Sequence, residues 1–425
     1  MNFNDWELVK LQDIIEFNPK EFIKKNTVAK KISMKKLKEF NKIISGFELE
    51  EFKSGVKFRN GDILFARITP CLENGKTAQV TILNKDEIGF GSTEFIVMRE
   101  KEGLSINDFI YYKSISNDFR SIAIKSMTGT SGRQRVQLDV LKDSTIYLPS
   151  VKEQQAIAKV LSDLDKKIQV NNNINKKLEE IAQNIFKHWF VDFEFPNQEG
   201  KPYKSSGGEM FYSELGFIPK KFNINKLADV LDTIESGNRP KGGTNNITEG
   251  IPSIGAENII GLGQYNYSKE KYVPKEYFNN MKKGIIKSKD VLLYKDGAQL
   301  GRKTIFMDNF PYKECCINSH VFILRSNDLL SQEYLYLWLD QEYMTENIKN
   351  LNTNSAQPGI NQTQLKKLTI LVPNIDIISK FSDVINPLFK QIYSLSKENK
   401  KLSDIRDALL PKLMSGEIKV PIDDK

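Results

Sequence analysis

The sequence predicts an α+β fold built by tandem duplication, in which a globular α/β domain is followed by a long helix and the pair then recurs. Three observations support this prediction. An internal repeat relates the two halves of the 425-residue chain. Short apolar runs separated by turn residues fill the first part of each repeat, and a helical pattern of about 40 residues fills the second.

The repeat is clearest in the helical segments. Asn175-Lys176-Lys177-Leu178 recurs 224 residues later as Asn399-Lys400-Lys401-Leu402, and the same offset joins Pro149 to Pro373. Two copies of so long a unit exclude a solenoid. Weaker matches with small gaps join Lys10–Ile14 to Lys226–Val230, Asp62–Leu64 to Asp290–Leu292, and Gly91–Val97 to Asn318–Leu324.

The globular part of each repeat contains strand signals. The runs DILFARI at 62–68 and EFIVMRE at 94–100 in the first copy, and VLLYK at 291–295 and HVFILRS at 320–326 in the second, are apolar and bounded by Gly, Asn, Asp and Pro. The segment INDFIYYKSISNDF at 106–119 predicts helix within the same domain.

The second part of each repeat carries apolar residues at spacings of three and four, which is the seam of a coiled coil. Asn171, Asn175 and Asn399 interrupt the seam, as polar residues that fix helix register do. We expect the two helices, each about 60 Å long, to pair antiparallel with pseudo-twofold symmetry. The predicted domains are residues 1–150, a helical region at 151–195, a linker and second domain at 196–372, and a helical region at 373–425.

The composition restricts the class of function. Lys and Arg total 62 against 54 Asp and Glu, and the net charge of +8 modestly favours a polyanionic partner. Cys71, Cys315 and Cys316 form neither a disulfide framework nor a zinc-site spacing, and two histidines leave little for histidine-based catalysis. No apolar run approaches the ~18 residues of a membrane span, and the N-terminus lacks the apolar stretch of a signal peptide, so we expect a cytoplasmic protein.

Several motifs occur in order along the duplicated frame. They are ARITPCLENGKTA at 66–78, GSTEFIVMR at 91–99, GTSGRQRV at 129–136, KKLEEIAQNIFKHWFVDFEFP at 176–196, NSAQPGINQTQL at 354–365 and LSDIRDALLPKLMSGEI at 402–418. Together they make the chain resemble, over essentially its full length, the DNA specificity subunit of a type I restriction–modification system.

The resemblance implies a noncatalytic subunit that recognises double-stranded DNA. Each globular domain is then a target recognition domain that reads one half of a split site, and the halves should differ because the two domains differ in sequence. The helices would set the spacer and bind two modification subunits that methylate adenine, with restriction subunits as further partners. S-adenosylmethionine, and ATP with Mg²⁺, would bind those partners, so no cofactor or metal is expected in this chain.

Base and phosphate contacts require Arg, Lys, Asn, Gln or hydroxyl side chains, which loops between strands can carry. In the first domain the leading candidate is the Gly-containing loop 129–136, and the alternative is a flexible solvated loop. The predicted DNA-binding residues of this domain are Thr130, Ser131, Arg133, Gln134 and Arg135, supported by Arg67, Lys76 and Ser92.

In the second domain, loop 236–243 has a similar composition and loop 354–361 is aligned with the first-domain loop. His320 aligns with Thr93, so we expect a surface contact or a structural histidine rather than a catalytic base. The predicted DNA-binding residues of this domain are Asn238, Arg239, Lys241, Lys295, Arg302, Lys303, Ser319, His320, Ser355, Gln357 and Asn361.

Large apolar side chains occupy corresponding ends of the two helical regions. One interpretation is that they dock the modification subunits by helix packing. The other is that they only close each helix against its neighbouring globular domain, and we expect both to contribute. The residues are Phe186, Trp189 and Phe190 in the first region and Leu409, Leu410, Leu413 and Met414 in the second.

Two other classes of protein stay open. A self-contained DNA-modifying enzyme is disfavoured because the chain has no Asn-Pro-Pro or GxxxxGK sequence. One series of residues has the order of a metal-dependent nuclease site, namely Asp192 followed by Glu199 and Lys201. Glu199 and Lys201 lie in a Pro/Gly-rich connection, and the second repeat has no copy of the series. A pure scaffold that pairs proteins through the helices would show no sequence-specific DNA binding.

Overall fold

The chain divides into two compact units in a computed structural model that describes residues 6–244, 246–352 and 358–422. Unit 1 comprises residues 1–168 and 401–425, and unit 2 comprises residues 169–400. Each unit therefore contains one globular region together with segments of both long helical regions.

Unit 1 begins with short strands and ends its globular region at a long helix. Its strands are β1 (Glu7–Lys10), β2 (Ile15–Phe17), β3 (Val28–Ile32), β4 (Glu48–Glu51), β5 (Val56–Phe58), β6 (Ile63–Ala66), β7 (Thr77–Gln79), β8 (Gly89–Gly91), β9 (Phe95–Glu100) and β10 (Thr145–Leu148). Its helices are α1 (Leu11–Ile14), α2 (Asn107–Ile115), α3 (Asn117–Lys125), α4 (Leu138–Asp143) and the first part of α5 (Val151–Phe190).

Unit 2 repeats this order and adds a hairpin before it. Its strands are β11 (Met210–Ser213), β12 (Gly216–Pro219), β13 (Asn223–Lys226), β14 (Leu231–Ser236), β15 (Ile251–Ile254), β16 (Ile259–Gly261), β17 (Gln264–Tyr265), β18 (Tyr272–Val273), β19 (Asp290–Tyr294), β20 (Lys303–Phe306), β21 (Cys316–Ile317), β22 (Val321–Ser326) and β23 (Thr369–Val372). Its helices are α6 (Leu227–Val230), α7 (Lys275–Asn279), α8 (Gln332–Asp340), α9 (Glu342–Asn350), α10 (Gln362–Lys366) and the first part of α11 (Ile375–Met414).

The central sheets of the two units have the same antiparallel topology. The strand order is β2-β9-β6-β7 in unit 1 and β14-β22-β19-β20 in unit 2. A second strand pair, β1 with β10 in unit 1 and β13 with β23 in unit 2, also recurs. The predicted α+β duplication is confirmed.

The strands at the centre of the unit 1 sheet are apolar on both faces because a separate core covers each face. Ile63 and Phe65 of β6 pack with helices α2 and α3 in one core, whereas Leu64 points to the other. Strand β9 divides in the same way, with Ile96 on one face and Val97 on the opposite face. Side chains alternate along a strand, so a continuous apolar run is what burial on two faces requires.

The two long helices pack antiparallel in unit 2, around a polar layer that the seam asparagines predict. Asn171 is fully buried, and its Nδ2 donates to Asn399 Oδ1 at 2.9 Å. Asn175 Nδ2 donates to Ser396 Oγ at 3.1 Å. Residue numbers rise along α5 while they fall along α11, which defines the antiparallel direction.

In unit 1 the start of α5 packs against the end of α11. Arg406 Nη1 lies 2.7 Å from Asp165 Oδ1, and Tyr112 of α2 donates to the second oxygen of Asp165 at 2.7 Å. Leu161 and Leu413 belong to one buried core with the helices of the globular region. None of the helices in the described ranges has the length and apolarity needed to cross a lipid bilayer.

A buried arginine–aspartate pair lies beneath the central sheet of each unit. The Asp62 carboxylate, which is 0% exposed, accepts hydrogen bonds from Arg99 Nε at 2.7 Å and Nη2 at 2.8 Å. In unit 2, Asp290 accepts from Arg325 Nε at 2.7 Å and Nη2 at 2.6 Å. Both pairs join the start of one strand to the end of its neighbour, which favours the same register in both sheets.

An acidic pair lies where α5 packs on α8 in unit 2. Burial, with a smaller contribution from the charges of Asp340 and Glu180, raises the pKa of Glu179 to about 7. Two buried tyrosines, Tyr336 and Tyr393, lie near the Glu179 carboxyl group. Asp340 accepts a hydrogen bond from Gln183 Nε2 at 3.1 Å and faces Lys303. These two neighbours lower the pKa of Asp340, but burial outweighs them and the pKa is raised overall.

We expect Glu179→Gln to stabilise the protein at pH 8 but not at pH 5. The unfolded carboxyl releases its proton near the ordinary value of 4.5, whereas the folded group keeps it until about pH 7. Stability therefore falls as pH rises between these values, and glutamine removes that loss. The gain is about 1 kcal/mol for a partly exposed group and is measured as a shift in Tm.

The control for this prediction is Glu180→Gln. Hydrogen bonding to Lys177 lowers the pKa of Glu180, and its amide variant loses that favourable pair. Because Glu180→Gln also relieves some repulsion on Glu179, we expect a smaller gain at pH 8 than for Glu179→Gln. A Tm shift of Glu179→Gln that is the same at pH 5 and pH 8 would contradict the assignment.

Candidate nucleic-acid interface

Three segments meet at one edge of the central sheet of unit 1. Strand β6 ends at Ala66, where it pairs with Phe95 at the start of β9. Arg67 N–H donates to Glu94 O at 2.9 Å, and Val136 N–H donates to Arg67 O at 2.9 Å. The end of β6, the turn before β9 and the loop before α4 therefore form one surface, which we call the loop edge of unit 1 (residues 66–69, 91–95 and 128–136).

Loop 128–136 is held in a hairpin-like shape. Thr128 N–H donates to Arg135 O at 3.0 Å, and Arg135 N–H donates to Thr128 O at 2.9 Å. Gln134 is tied to the end of β6, because its N–H donates to Thr69 Oγ1 at 2.9 Å. These hydrogen bonds hold the base of the loop, and the alternative of a flexible solvated loop stays a prediction for its tip. The tip of the loop carries three exposed predicted residues, Thr130, Ser131 and Arg133.

The two arginines of this loop differ in their partners. Arg135 donates from Nε and Nη2 to both oxygens of Glu94 at 2.6–3.1 Å. These hydrogen bonds lower the pKa of Glu94, which stays ionised and holds Arg135 against the sheet. The guanidinium of Arg133 is exposed and makes no hydrogen bond to the described side chains or backbone. Arg133 is therefore the arginine available to an external ligand.

The other predicted residues of unit 1 support the loops. Arg67 is half-buried, and its Nη2 donates to Val136 O at 3.1 Å. Lys76 Nζ donates to Met34 O at 3.3 Å. Ser92 Oγ accepts from Glu94 N–H at 3.1 Å within the turn before β9.

Unit 2 builds the same edge from corresponding residues. Strand β19 ends at Tyr294, where it pairs with Val321 at the start of β22. Lys295 N–H donates to His320 O at 3.0 Å, and Ile360 N–H donates to Lys295 O at 2.9 Å. The loop edge of unit 2 comprises residues 294–297, 318–321 and 358–360. Ser319 is half-buried within it, whereas the predicted Ser355 and Gln357 lie outside the described residues.

A fourth segment, loop 237–243, joins the loop edge of unit 2. Ser236 at the end of β14 pairs with Phe322, so the loop leaves the sheet beside the turn that contains His320. Gly237 permits this course, because a Cβ there would lie 2.0 Å from the Ile317 carbonyl oxygen. The loop carries three exposed predicted residues, Asn238, Arg239 and Lys241.

A histidine links this loop to an acid of the same edge. Arg239 Nη2 contacts His320 Nε2, and His320 Nδ1 lies 2.6 Å from Asp296 Oδ1. Lys295 Nζ sits over the ring of Phe322 at 5.0 Å from its centroid. The expectation that His320 is a polar contact within the surface agrees with this geometry.

The prediction that Lys303 contacts DNA does not fit the structure. Lys303 is 6% exposed, and its Nζ donates to Thr345 Oγ1 at 2.8 Å and lies 3.6 Å from Asp340. Burial lowers the pKa of Lys303, and the negative charge of Asp340 offsets part of this shift. All four residues of β20 are buried, so the strand is covered on both faces and Lys303 lies in the interior.

Two further predicted residues have structural partners. Arg302 donates from Nη1 to Ile259 O at 3.0 Å and from Nη2 to Gln299 Oε1 at 2.7 Å, and it is half-buried. Asn361 is the N-cap of α10, with its Oδ1 accepting from Gln364 N–H at 2.9 Å. The Arg302 guanidinium therefore braces a loop, and the side-chain oxygen of Asn361 caps a helix.

Comparison with known proteins adds the decisive observation. The family model of the type I restriction modification DNA specificity domain matches residues 4–180 and 219–403, once in each repeat. The chain belongs to this family.

Several specificity subunits are similar along most of their length. The type I restriction enzyme MjaIX specificity subunit of Methanocaldococcus jannaschii is 28% identical over 322 residues, which cover 75% of this chain and 71% of that protein. The HindI specificity subunit of Haemophilus influenzae is 26% identical over 427 residues, with 85% and 87% covered. The crystal structure of a type I S subunit from M. genitalium shares the fold, with a TM-score of 0.54 at 16% identity over 96% of each chain.

The predicted partner-binding residues of this specificity-domain chain are largely buried. Phe186 and Phe190 are at most 2% exposed and pack on Tyr334 and Phe381 within unit 2. The docking interpretation is wrong for these two and for Leu413 and Met414, because their own unit covers them, as the alternative interpretation states. Three residues are half-buried against the same cores, Trp189, Leu409 and Leu410.

Sequence reasoning missed the acids of the two loop edges, because it searched these specificity domains only for hydrogen-bond donors. Glu94 engages Arg135, and Asp296 engages His320. Both acids stand at the ends of apolar strand runs beside basic loops. An acid at this position could have been recognised in the sequence. It pairs with one of the basic side chains of the loop and leaves the others for an external ligand.

Proposed function

We propose that the chain is the DNA-recognition subunit of a type I restriction–modification complex, in which unit 1 reads one half of a bipartite site and unit 2 reads the other. The observation that carries this proposal is the repeated loop edge. The backbone hydrogen bonds that join Arg67 to Glu94 and Val136 in unit 1 recur in unit 2, where they join Lys295 to His320 and Ile360. One frame therefore presents different side chains, and the two half-sites should differ in sequence.

The loop edges carry the chemistry that DNA recognition requires. Arginine forks onto guanine, amides pair with adenine, and exposed basic side chains contact phosphates. Unit 1 offers Arg133 and Gln134, and unit 2 offers Arg239, Lys241 and Lys295. In this proposal the bases between the two half-sites go unread, and the helical regions set their number.

We further propose that two modification subunits dock on the outer faces of the long helices. Val160 and Ile181 of α5 are 37% and 45% exposed, and their counterparts 224 residues later, Val384 and Ile405 of α11, are 42% and 48% exposed. Apolar residues exposed at the same positions of both repeats suit one partner that binds twice.

We expect Ile405→Asp and Ile181→Asp each to remove one modification subunit from the complex, and the double variant to remove both. A charge in an apolar interface costs several kcal/mol when it is left unpaired. The stoichiometry is measured by native mass spectrometry of the coexpressed complex. Ile174→Asp is the matched control, because Ile174 is 40% exposed on the same helix but its counterpart is Glu398. Equal losses in all three single variants would contradict the docking site.

Catalysis is proposed to reside in the partners. S-adenosylmethionine would bind the modification subunits, and ATP with Mg²⁺ would bind restriction subunits where these are present. Within the described ranges, no group of three or more His, Cys, Asp or Glu side chains is arranged to hold a metal ion.

Methylation mapping tests the proposed function. The chain is coexpressed with the candidate modification subunit in a methylation-free host, and methyl-adenine is located by sequencing. Methylation confined to one asymmetric, gapped motif, and absent without either protein, is the expected result. Methylation that persists without this chain would overturn the proposal and favour a scaffold.

A further inference from the structure

Three side chains at the loop edge of unit 2, those of Arg239, His320 and Asp296, contact one another in series. Arg239 is the most exposed of the three. Only its Nη2 is engaged, by His320 Nε2, among the residues that the structure describes. Its Nε and Nη1 hydrogens stay available, together with one hydrogen of Nη2. A planar guanidinium edge of this kind matches the O6 and N7 acceptors of guanine in the major groove.

The hydrogen-bond pattern fixes the tautomer of His320. A guanidinium can only donate, so Nε2 must accept and carries no hydrogen. The single ring hydrogen of a neutral imidazole is then on Nδ1, from which it donates to Asp296 Oδ1 at 2.6 Å. Asp296 thus holds the ring in the one tautomer that can bind Arg239.

The surroundings hold the ring as well as its tautomer. His320 N–H donates to Asn318 Oδ1 at 2.8 Å, and the His320 and Asp296 side chains are 35% and 24% exposed. Asp296 also lies opposite Gly359 in a β-bridge, so its backbone is part of the frame. The acid and the histidine are therefore anchored, and the arginine at the end of the chain faces outward.

Unit 1 restrains an arginine in a different way. Arg135 donates directly to both oxygens of Glu94, so a carboxylate neutralises its charge at contact distance. In unit 2 the His320 imidazole, and not a carboxylate, stands between Arg239 and Asp296. Arg239 is oriented while its charge is retained, which is the combination that reading a base requires.

We propose that Arg239 contacts a guanine of the half-site read by unit 2, and that Asp296 positions Arg239 through His320. This inference rests on the proposed function. It assigns Asp296 and His320 as positioning residues and predicts a G·C pair in that half-site.

The test uses the full chain coexpressed with the modification subunit, with host genomic DNA as the probe. The readout is the ratio of adenine methylation at matched sites to that at sites with one substituted base pair. Arg239→Ala should lower this ratio roughly tenfold or more at one G·C pair, since a bidentate contact supplies that discrimination.

Two variants of His320 separate positioning from mere structural support. A glutamine side chain reaches the place of Nε2, where its carbonyl oxygen can accept from Arg239. An asparagine reaches only the place of Nδ1, beside Asp296. His320→Gln should keep most of the discrimination, whereas His320→Asn should lose it roughly tenfold, at the same G·C pair as Arg239→Ala.

The half-site read by unit 1 reports in every sample whether the chain is folded. Equal behaviour of His320→Gln and His320→Asn, with the wild-type motif intact, would overturn the positioning role. Loss at an A·T pair in Arg239→Ala would overturn the guanine assignment. A wild-type complex that methylates no gapped motif would instead overturn the proposed function, and this inference with it.

Discussion

Replacing Arg133 with alanine is expected to relax recognition of one half-site and to leave the other unchanged. Arg133 stands exposed at the tip of loop 128–136, whereas the neighbouring Arg135 is held by Glu94. Loss of a bidentate arginine–guanine contact is worth about 1–3 kcal/mol, or roughly 10- to 100-fold in discrimination. The measurement is the methylated motif of the coexpressed complex, read base by base.

Arg133→Lys is the matched control. Lysine keeps the positive charge but lacks the planar fork. We expect it to retain the salt dependence of DNA binding while losing discrimination at the same base pair as the alanine variant. Equal loss at both half-sites in Arg133→Ala would contradict the model of two independent readers.

The largest loss of stability is expected from Asp62→Ala. This change removes the carboxylate that accepts the Nε and Nη2 hydrogens of the buried Arg99 guanidinium. Glu21, whose Oε1 lies 2.7 Å from Nη2, is then the one acidic partner left to Arg99 among the described residues. Breaking a buried ion pair from one side costs about 3–5 kcal/mol, because the remaining charge stays desolvated. Chemical denaturation of the purified chain measures the change in the free energy of unfolding.

An exposed ion pair of the same unit provides the comparison. Lys31 Nζ lies 2.6 Å from Glu50, and their side chains are 32% and 50% exposed. Glu50→Ala should cost less than about 1 kcal/mol, because water screens the pair. If Asp62→Ala costs no more than Glu50→Ala, the buried pair does not stabilise the sheet.

The duplicated architecture follows from the sequence because its signals are periodic. Helix α5 spans Val151–Phe190 and α11 spans Ile375–Met414, where apolar residues recur at spacings of three and four. Strands β6, β9 and β22 lie within the apolar runs at 62–68, 94–100 and 320–326, and β19 begins one residue before the run at 291–295. The buried polar layer around Asn171 also matches the interruption of the seam.

The side on which a residue lies does not follow from such patterns. Phe186 and Phe190 fit both a docking face and a core, and only the aromatic neighbours Tyr334 and Phe381 decide for the core. The same ambiguity made Lys303 resemble a surface cation. Side-chain pairs between distant segments, such as Arg135 with Glu94, depend on which loops the sheet brings together.

The position of the buried ion pairs has a consequence for how chains of this kind diverge. Asp62 precedes β6 and Arg99 closes β9, whereas the loop edge lies at the other end of both strands. Four residues of strand, about 13 Å, separate the residues that hold the sheet from those that face outward. Substitutions at the loop tips therefore leave the stability of the sheet almost untouched. Under the proposed function, we expect substitutions at the loop tips to change the DNA target without destabilising the sheet.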